Sequence, residues 1–389
     1  MSQLLEPVTL GDSIQLRNRV CMGSMTRNRC TDDNKPTSAS AKYYADRARD
    51  GAGLIIAEGT FVYYNGAEWP HTPVMFNHDH AAAWKNVTDA VHDVNGKIFF
   101  QPWHAGRIQN DNMPMLKKHN YPVYAPSKIP AAGGEYRTLE GHPGHTTNIT
   151  EIEDPKLIVE QYRNSVTLAK LAGFDGIELL AQGGYLIHNF LCSRANNRTD
   201  AYGGSAENRC RFLLEVLDAI IDIWGPRRVG IKICPSDYIN DSMMSYAELT
   251  ETYNYLIPQL VQRKLAYINI SRRDSYSGQG EGTYLRPEGF ELPDNWEPIQ
   301  QFGRMVKYPG SETMLMVNHE YTVEEAETLL DEGKIDLVTF ARPFIYNPDV
   351  ITRIAQKKPF AVNDRGGFVN YGPYKTVDEF YNDWPRISA

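Results

Sequence analysis

Eight short apolar runs, each followed by a stretch with helical spacing, constrain the fold more than any other feature of this chain. They are RVCMGSM (19–25), GLIIAEGTF (53–61), KIFFQPW (97–103), GIELLAQ (176–182), VGIKIC (229–234), YINIS (267–271), TMLMVN (313–318) and LVTFA (337–341). Runs of Val, Ile and Leu that do not alternate with polar residues require burial on both faces, as in a parallel sheet flanked by helices. Two of the intervening helices carry a readable start. Ser245 with Glu248, and Thr322 with Glu325, have the spacing of a capping box, in which hydroxyl and carboxylate satisfy orphan N–H groups. The repeat predicts an α/β fold, a closed (β/α)8 TIM barrel, with residues 1–389 as a single domain. A doubly wound open sheet shares the alternation, but it would place a glycine-rich phosphate loop after its first strand, and RVCMGSMTRNRC (19–30) is not one.

Two long polar stretches interrupt the repeat, at about 104–152 and about 272–293. Insertions after strands three and six of a barrel fall on the C-terminal face, where active sites are built, and would cover the site. The GQGEG segment in the second stretch (278–282) is followed by no helix and soon by Pro287, so it reads as a surface loop rather than a nucleotide loop.

The net charge of −8 argues against the clustered basic footprint that nucleic acid demands. The N-terminus lacks a basic patch followed by an apolar stretch, and no apolar run reaches membrane-spanning length. The five cysteines are odd in number, scattered, and never spaced C-x-x-C, so neither a disulfide framework nor a metal site is suggested. The N-x-[ST] triplets at Asn86, Asn148, Asn197 and Asn269 are therefore read as chance matches. The expectation is a cytoplasmic monomer or homodimer acting on a small molecule, with no nucleic-acid or membrane partner.

Around Tyr185 the chain reads FDGIELLAQGGYLIHNFLCSRANNRTDAYGGSAENRCRFLLEVLDAI (174–220). Its GYL…NF, NRTD, YGGS and ENR..F pieces, in that order and spacing, resemble the Old Yellow Enzyme family. Further matches run through SMTRNR near residue 24, FFQPWHAGR (99–107), VGIKICP (229–235) and FARPFIYNPD (340–349). The resemblance implies bound FMN and NAD(P)H as electron donor. Thr26 matches the residue that hydrogen-bonds the flavin C4 carbonyl, and Gln101 the glutamine that pairs with the pyrimidine edge. Lys232 stands where most of the family has arginine, beside the N1–C2 edge that gains negative charge on reduction. It keeps the charge without the planar fork, and a Lys inside an apolar strand demands an explanation in any case.

Arg342 matches the phosphate-binding arginine. Two departures accompany it. Ala341 replaces the usual glycine, and Asn318, His319 and Glu320 replace a small, glycine-rich stretch. Non-glycine residues there would adopt strain, contribute His319 as a donor, or weaken the site, and the Glu320 carboxylate would need to point outward.

Tyr185 matches the tyrosine that protonates the substrate carbon once hydride has been delivered, acceptable chemistry for a phenol because an enolate is a stronger base. The substrate side departs most. The family's carbonyl-binding His and Asn or His are Leu180 and Gly183 here. One oxyanion donor is worth about 2.7–4 kcal/mol of barrier, so losing two without replacement would slow ordinary enone reduction by several powers of ten. Candidate replacements are His104, Gln182, Tyr64 and His145, while His188 is expected to support the site from behind. The roomier apolar pocket suggests a hydrophobic specialised metabolite, such as a quinone methide, an iminium or a polyene aldehyde. Two alternatives share these residues: a flavin-dependent desaturase, isomerase or cyclase, and a non-catalytic flavin-binding homologue.

Overall fold

In the computed structural model, described over all residues except 1, 133–137, 140–141, 273–285, 368, 370–371, 373 and 388–389, eight parallel strands close into a barrel. They are β1 (Val20–Met22), β2 (Leu54–Ile56), β3 (Ile98–Phe100), β4 (Gly176–Ala181), β5 (Val229–Ile233), β6 (Tyr267–Ser271), β7 (Met314–Asn318) and β8 (Leu337–Phe340). Each lies within one of the eight apolar runs. Pairing of β8 with β1 and of β3 with β4 completes the circle. The outer helices follow in strict alternation: α1 (Ser38–Asp50), α2 (His78–His92), α3 (Pro155–Leu171), α4 (Ala206–Trp224), α5 (Tyr246–Gln262), α6 (Pro298–Val306), α7 (Val323–Asp331) and α8 (Val350–Ala355).

The two-residue period of a strand divides the core in two. Ile55, Ile98, Ile177, Leu179, Ile231, Ile268 and Val317 face outward and join Tyr43, Trp84, Val166 and Leu213 of the helices in one cluster. Cys21, Leu54, Ile56, Phe99, Tyr267, Met316 and Leu337 face inward and form a second. Leu10, Ile14 and Leu16 belong to that inner cluster, although they lie on an antiparallel hairpin, Val8–Leu10 with Ile14–Leu16. This hairpin closes the N-terminal end of the barrel beside Arg227, whose guanidinium pairs with Asp12 at 2.9 Å.

The capping expectations divide. Thr322 and Glu325 form the complete box at the start of α7. At α5 only half of it exists: Ser245 Oγ accepts from Glu248 N–H at 3.2 Å, but the Glu248 carboxylate accepts from Ser193 N–H at 2.8 Å instead. Tertiary geometry outcompetes the local bond here. In the first insertion, Pro114–His119 is helical and Val123–Ala125 pairs in parallel with Ile149–Glu151. Residues 273–285 of the second insertion, GQGEG included, lie outside the described residues. No described helix is long and apolar enough to cross a membrane.

Candidate active site

Strand register brings the site residues together at the C-terminal rim. Leu180 on β4 pairs with Lys232 on β5, Lys232 with Asn269 on β6, Ser271 with Asn318 on β7, and Asn318 with Thr339 on β8. Gln101 extends β3 beside them and is buried. Its amide Nε2 donates to Glu178 Oε1 at 2.8 Å.

Lys232 is only 6% exposed, and among the described residues no hydrogen bond or ion pair holds its ammonium group. Burial lowers its pKa from the ordinary lysine value, with Glu178 attracting the charge in opposition. Asn269 Oδ1 and Thr339 Oγ1 are likewise buried without a partner. Orphaned polar groups of this kind are costly unless a ligand completes them.

Thr26 lies half-buried in the loop after β1. The loop is anchored from below, since Glu58 Oε2 accepts from Arg27 N–H at 3.0 Å. Burial pushes the Glu58 carboxyl up to about 7, against those backbone donors and the Arg27 charge. The Arg27 guanidinium donates to Tyr43 Oη and to the Val369 carbonyl, which ties the loop to the C-terminal segment.

At the far side His319 and Glu320 both adopt left-handed backbone, with φ of +76° and +55°. The residues therefore take up the strained conformation that glycine would supply without cost. Arg272 steadies the turn, its backbone N–H donating to the Asn318 carbonyl at 2.9 Å and its guanidinium stacking 3.8 Å over the Tyr321 ring. Glu320 is exposed. His319 is half-buried, and its pKa is lowered by burial and by the nearby Arg342 and Lys232 charges, opposed by Glu320. Ala341 caps the short helix Arg342–Tyr346, and Arg342 at its start is exposed.

On the substrate side, Tyr185 is the N-cap of the helix Leu186–Leu191, and the edge of its ring meets Trp103 with centroids 4.6 Å apart. The preceding turn is held on several sides. Gly183 N–H donates to Asp237 Oδ2, Asn240 Nδ2 donates to the Gly183 carbonyl at 2.6 Å, and Gly184 N–H donates to His188 Nδ1 at 3.1 Å. Gly183 has φ +78°, and a Cβ there would stand 2.7 Å from the Tyr185 ring. The ring thus occupies space that a side chain at 183 would need. Leu180 and Tyr185 pack on the Phe61, Trp103 and Met115 cluster, which Tyr64 also joins. Gln182 Oε1 accepts from Ser271 Oγ at 2.7 Å, and no described residue takes its amide NH2.

His104, expected on the substrate side, is buried. His104 is sealed beneath the turn at 64–66, its ring so close to Gly66 that a Cβ there would lie 2.7 Å away. Its Nδ1 accepts from Gly106 N–H at 3.0 Å, and burial lowers its pKa to about 3. The ring is buried as a neutral imidazole, and its Nε2 has no partner among the described residues. Tyr64 stacks on His119 at 4.6 Å, and His145 is half-buried in the first insertion. Sequence reading passed over Glu178, Asp237 and Asn240. For Glu178 a signal existed: a carboxylate within the apolar run GIELL is as anomalous as Lys232 in VGIKIC.

A rim that supplies one unpaired buried cation, a fixed amide and several orphaned polar atoms, next to an apolar wall carrying a tyrosine, fits an anionic, planar, heteroaromatic cofactor. This is the site of a flavin-binding barrel oxidoreductase.

The chain belongs to the NADH:flavin oxidoreductase / NADH oxidase family, whose model matches residues 3–360. It is 33% identical to a probable flavin mononucleotide-dependent alkene reductase of Leishmania infantum, over 98% of this chain and 97% of that one. It is 32% identical to the NADP-dependent oxidoreductase lnbE of Aspergillus flavus, over 99% and 96% of the two chains. The solved Old Yellow Enzyme homologue from Zymomonas mobilis superposes with a TM-score of 0.84 at 30% identity, covering 98% of this chain and 99% of that one. The resemblance to the Old Yellow Enzyme family is thus confirmed, with FMN as cofactor and a nicotinamide dinucleotide as electron donor.

Proposed function

We propose that the protein reduces the activated C=C bond of a hydrophobic substrate, with Tyr185 as the proton donor and Gln182 as the polar group that receives the substrate oxygen or its equivalent. Bound FMN supplies the two-electron transfer from NAD(P)H to the alkene. Lys232, Gln101 and Thr26 would hold its ring, and Arg342, His319 and the backbone of 318–320 its phosphate.

The observation that carries this reading is the Tyr185 corner. The ring is held edge-on by Trp103, an arrangement worth about 0.5–1.5 kcal/mol beyond area burial. The turn beneath it is bonded to Asp237, Asn240 and His188. Such fixation keeps the phenol proton in one place, as proton transfer requires. Leu180 and the Phe61–Trp103 cluster exclude water and favour an apolar substrate. With Gln182 as one donor in place of two, substrates already polarised are favoured, among them quinone methides, iminium ions and polyene aldehydes.

Steady-state NADPH consumption with mass analysis of product across such a panel tests the reading. One NADPH consumed per molecule gaining two hydrogens is expected, with polarised substrates outpacing simple cyclic enones. Turnover without net NADPH consumption would replace reduction by isomerisation.

We also place the protein, as one barrel domain, in a reducing, cytoplasmic compartment as a monomer or homodimer with no nucleic-acid partner. Support comes from the five cysteines, all buried and unbridged, and from the acidic net charge.

A further inference from the structure

A carboxylate lies sealed inside the barrel, one layer below the rim. Glu178 is 1% exposed, and its partners are neutral donors: Gln101 Nε2 at 2.8 Å, Tyr267 Oη at 3.0 Å and Asn269 Nδ2 at 3.2 Å. Among the described residues no cation forms an ion pair with it. The nearest strand partners place Gly230 opposite Glu178 and Lys232 opposite Leu180, so the Lys232 charge sits one interior layer above.

Burying a carboxylate is expensive even with three donors, and a barrel layer is ordinarily filled with branched aliphatics. Its chemistry has a specific consequence for Gln101. A glutamine amide is nearly symmetric in shape and can turn either end toward a neighbour. Glu178 Oε1 accepts from Gln101 Nε2, which turns the amide to present Nε2 downward and Oε1 away from the carboxylate. The pyrimidine edge of a flavin alternates acceptor, donor and acceptor, and therefore reads which way that amide is turned.

We propose that Glu178 is a positioning residue for the flavin: it fixes the polarity of the Gln101 amide and sets a carboxylate one barrel layer below Lys232 that partly offsets the lysine charge. Asn269 is oriented by the same carboxylate. Its Nδ2 is drawn to Glu178, which leaves Oδ1 as the buried orphan acceptor directly beside Lys232 in register. The attraction between Glu178 and Lys232 also works against the burial that disfavours the ammonium form.

Two variants of the full chain separate charge from polarity. Glu178→Gln removes the charge and turns an NH2 group toward the donors on one side, either Gln101 Nε2 or the pair Tyr267 Oη and Asn269 Nδ2. Glu178→Asp keeps the charge but is one methylene short of Gln101. FMN dissociation from the reconstituted protein, the flavin midpoint potential and the melting temperature of the apoprotein are read for each.

Glu178→Gln is expected to bind FMN roughly tenfold more weakly, the worth of a lost charge-assisted hydrogen bond, and to shift the potential to more positive values. Glu178→Asp is expected to weaken FMN binding while leaving the potential near the wild-type value. Wild-type affinity and potential in Glu178→Gln would overturn the proposal, as would equal shifts of potential in both variants. Loss of FMN binding only in step with a falling apoprotein melting temperature would reduce Glu178 to a folding role. If Glu178→Gln does not fold, wild-type FMN affinity in Glu178→Asp overturns the polarity claim by itself.

Discussion

Replacing Lys232 by Met should move two measurements in opposite directions. Lys232 is 6% exposed, its ammonium group has no described partner, and burial lowers its pKa, so in the apoprotein it is a charge held where it costs free energy. Methionine fills a similar volume without that penalty. The attraction to Glu178 is lost as well, so the net gain is on the order of 1 kcal/mol, about 2 °C in melting temperature. With FMN bound the sign reverses. Two unit charges about 5 Å apart at an effective dielectric constant of about 20 attract by about 3 kcal/mol, the scale of stabilisation that Lys232 would give a reduced flavin held beside it. For a two-electron couple this corresponds to a potential about 70 mV lower in the variant. Calorimetry of the apoprotein and spectroelectrochemistry of the holoprotein read the two effects. An unchanged or more positive potential in Lys232→Met would refute the assignment of Lys232 to the flavin edge, and a less stable apoprotein would refute the claim that the burial cost of its charge exceeds the attraction of Glu178.

Tyr185→Phe should leave FMN binding and flavin reduction by NADPH unchanged while slowing reoxidation by alkenes about 10²–10⁴-fold, measurable by stopped-flow absorbance. Gly184→Ala should destabilise the protein by about 2 kcal/mol or more in denaturant titration. Its φ is +70°, and the new Cβ would meet Asn240 Cβ at 2.8 Å and the Ile239 carbonyl at 2.9 Å. Acid should destabilise the protein through buried histidines. His104 falls from 6.5 in the unfolded chain to about 3 in the fold, so its contribution is fully present above 6.5 and is lost as pH falls between those values. At pH 5 the loss is about 2 kcal/mol, with His188 adding in the same direction, and His104→Gln should flatten the pH dependence of unfolding.

The strand order was legible because a strand buried on both faces has to be apolar throughout, and each of the eight runs contains its strand. Lys232 was legible for the converse reason, as a charge where none belongs. The N-terminal hairpin that plugs the barrel was not, since its strands mix exposed and buried positions and so lack the continuous apolar run that marks a barrel strand. The burial of His104 was not legible, because a histidine beside a strand end reads alike whether it faces the mouth or packs under a turn. Nor does sequence alone reveal which glycine gives way to a neighbouring ring. The space at Gly183 is defined by Tyr185 lying over it. The strain at His319 and Glu320 was anticipated as one of three outcomes, and only backbone angles distinguish it.

The central claim is that a largely conventional flavin rim faces a rebuilt substrate pocket. Anaerobic titration of the FMN-loaded protein with NADPH, followed by mixing with activated alkenes of graded polarisation, tests it most directly. NADPH should bleach the flavin, hydrophobic polarised alkenes should restore its absorbance quickly, and simple cyclic enones should do so slowly. A protein that takes up no FMN, or a reduced flavin that no activated alkene reoxidises, would contradict it.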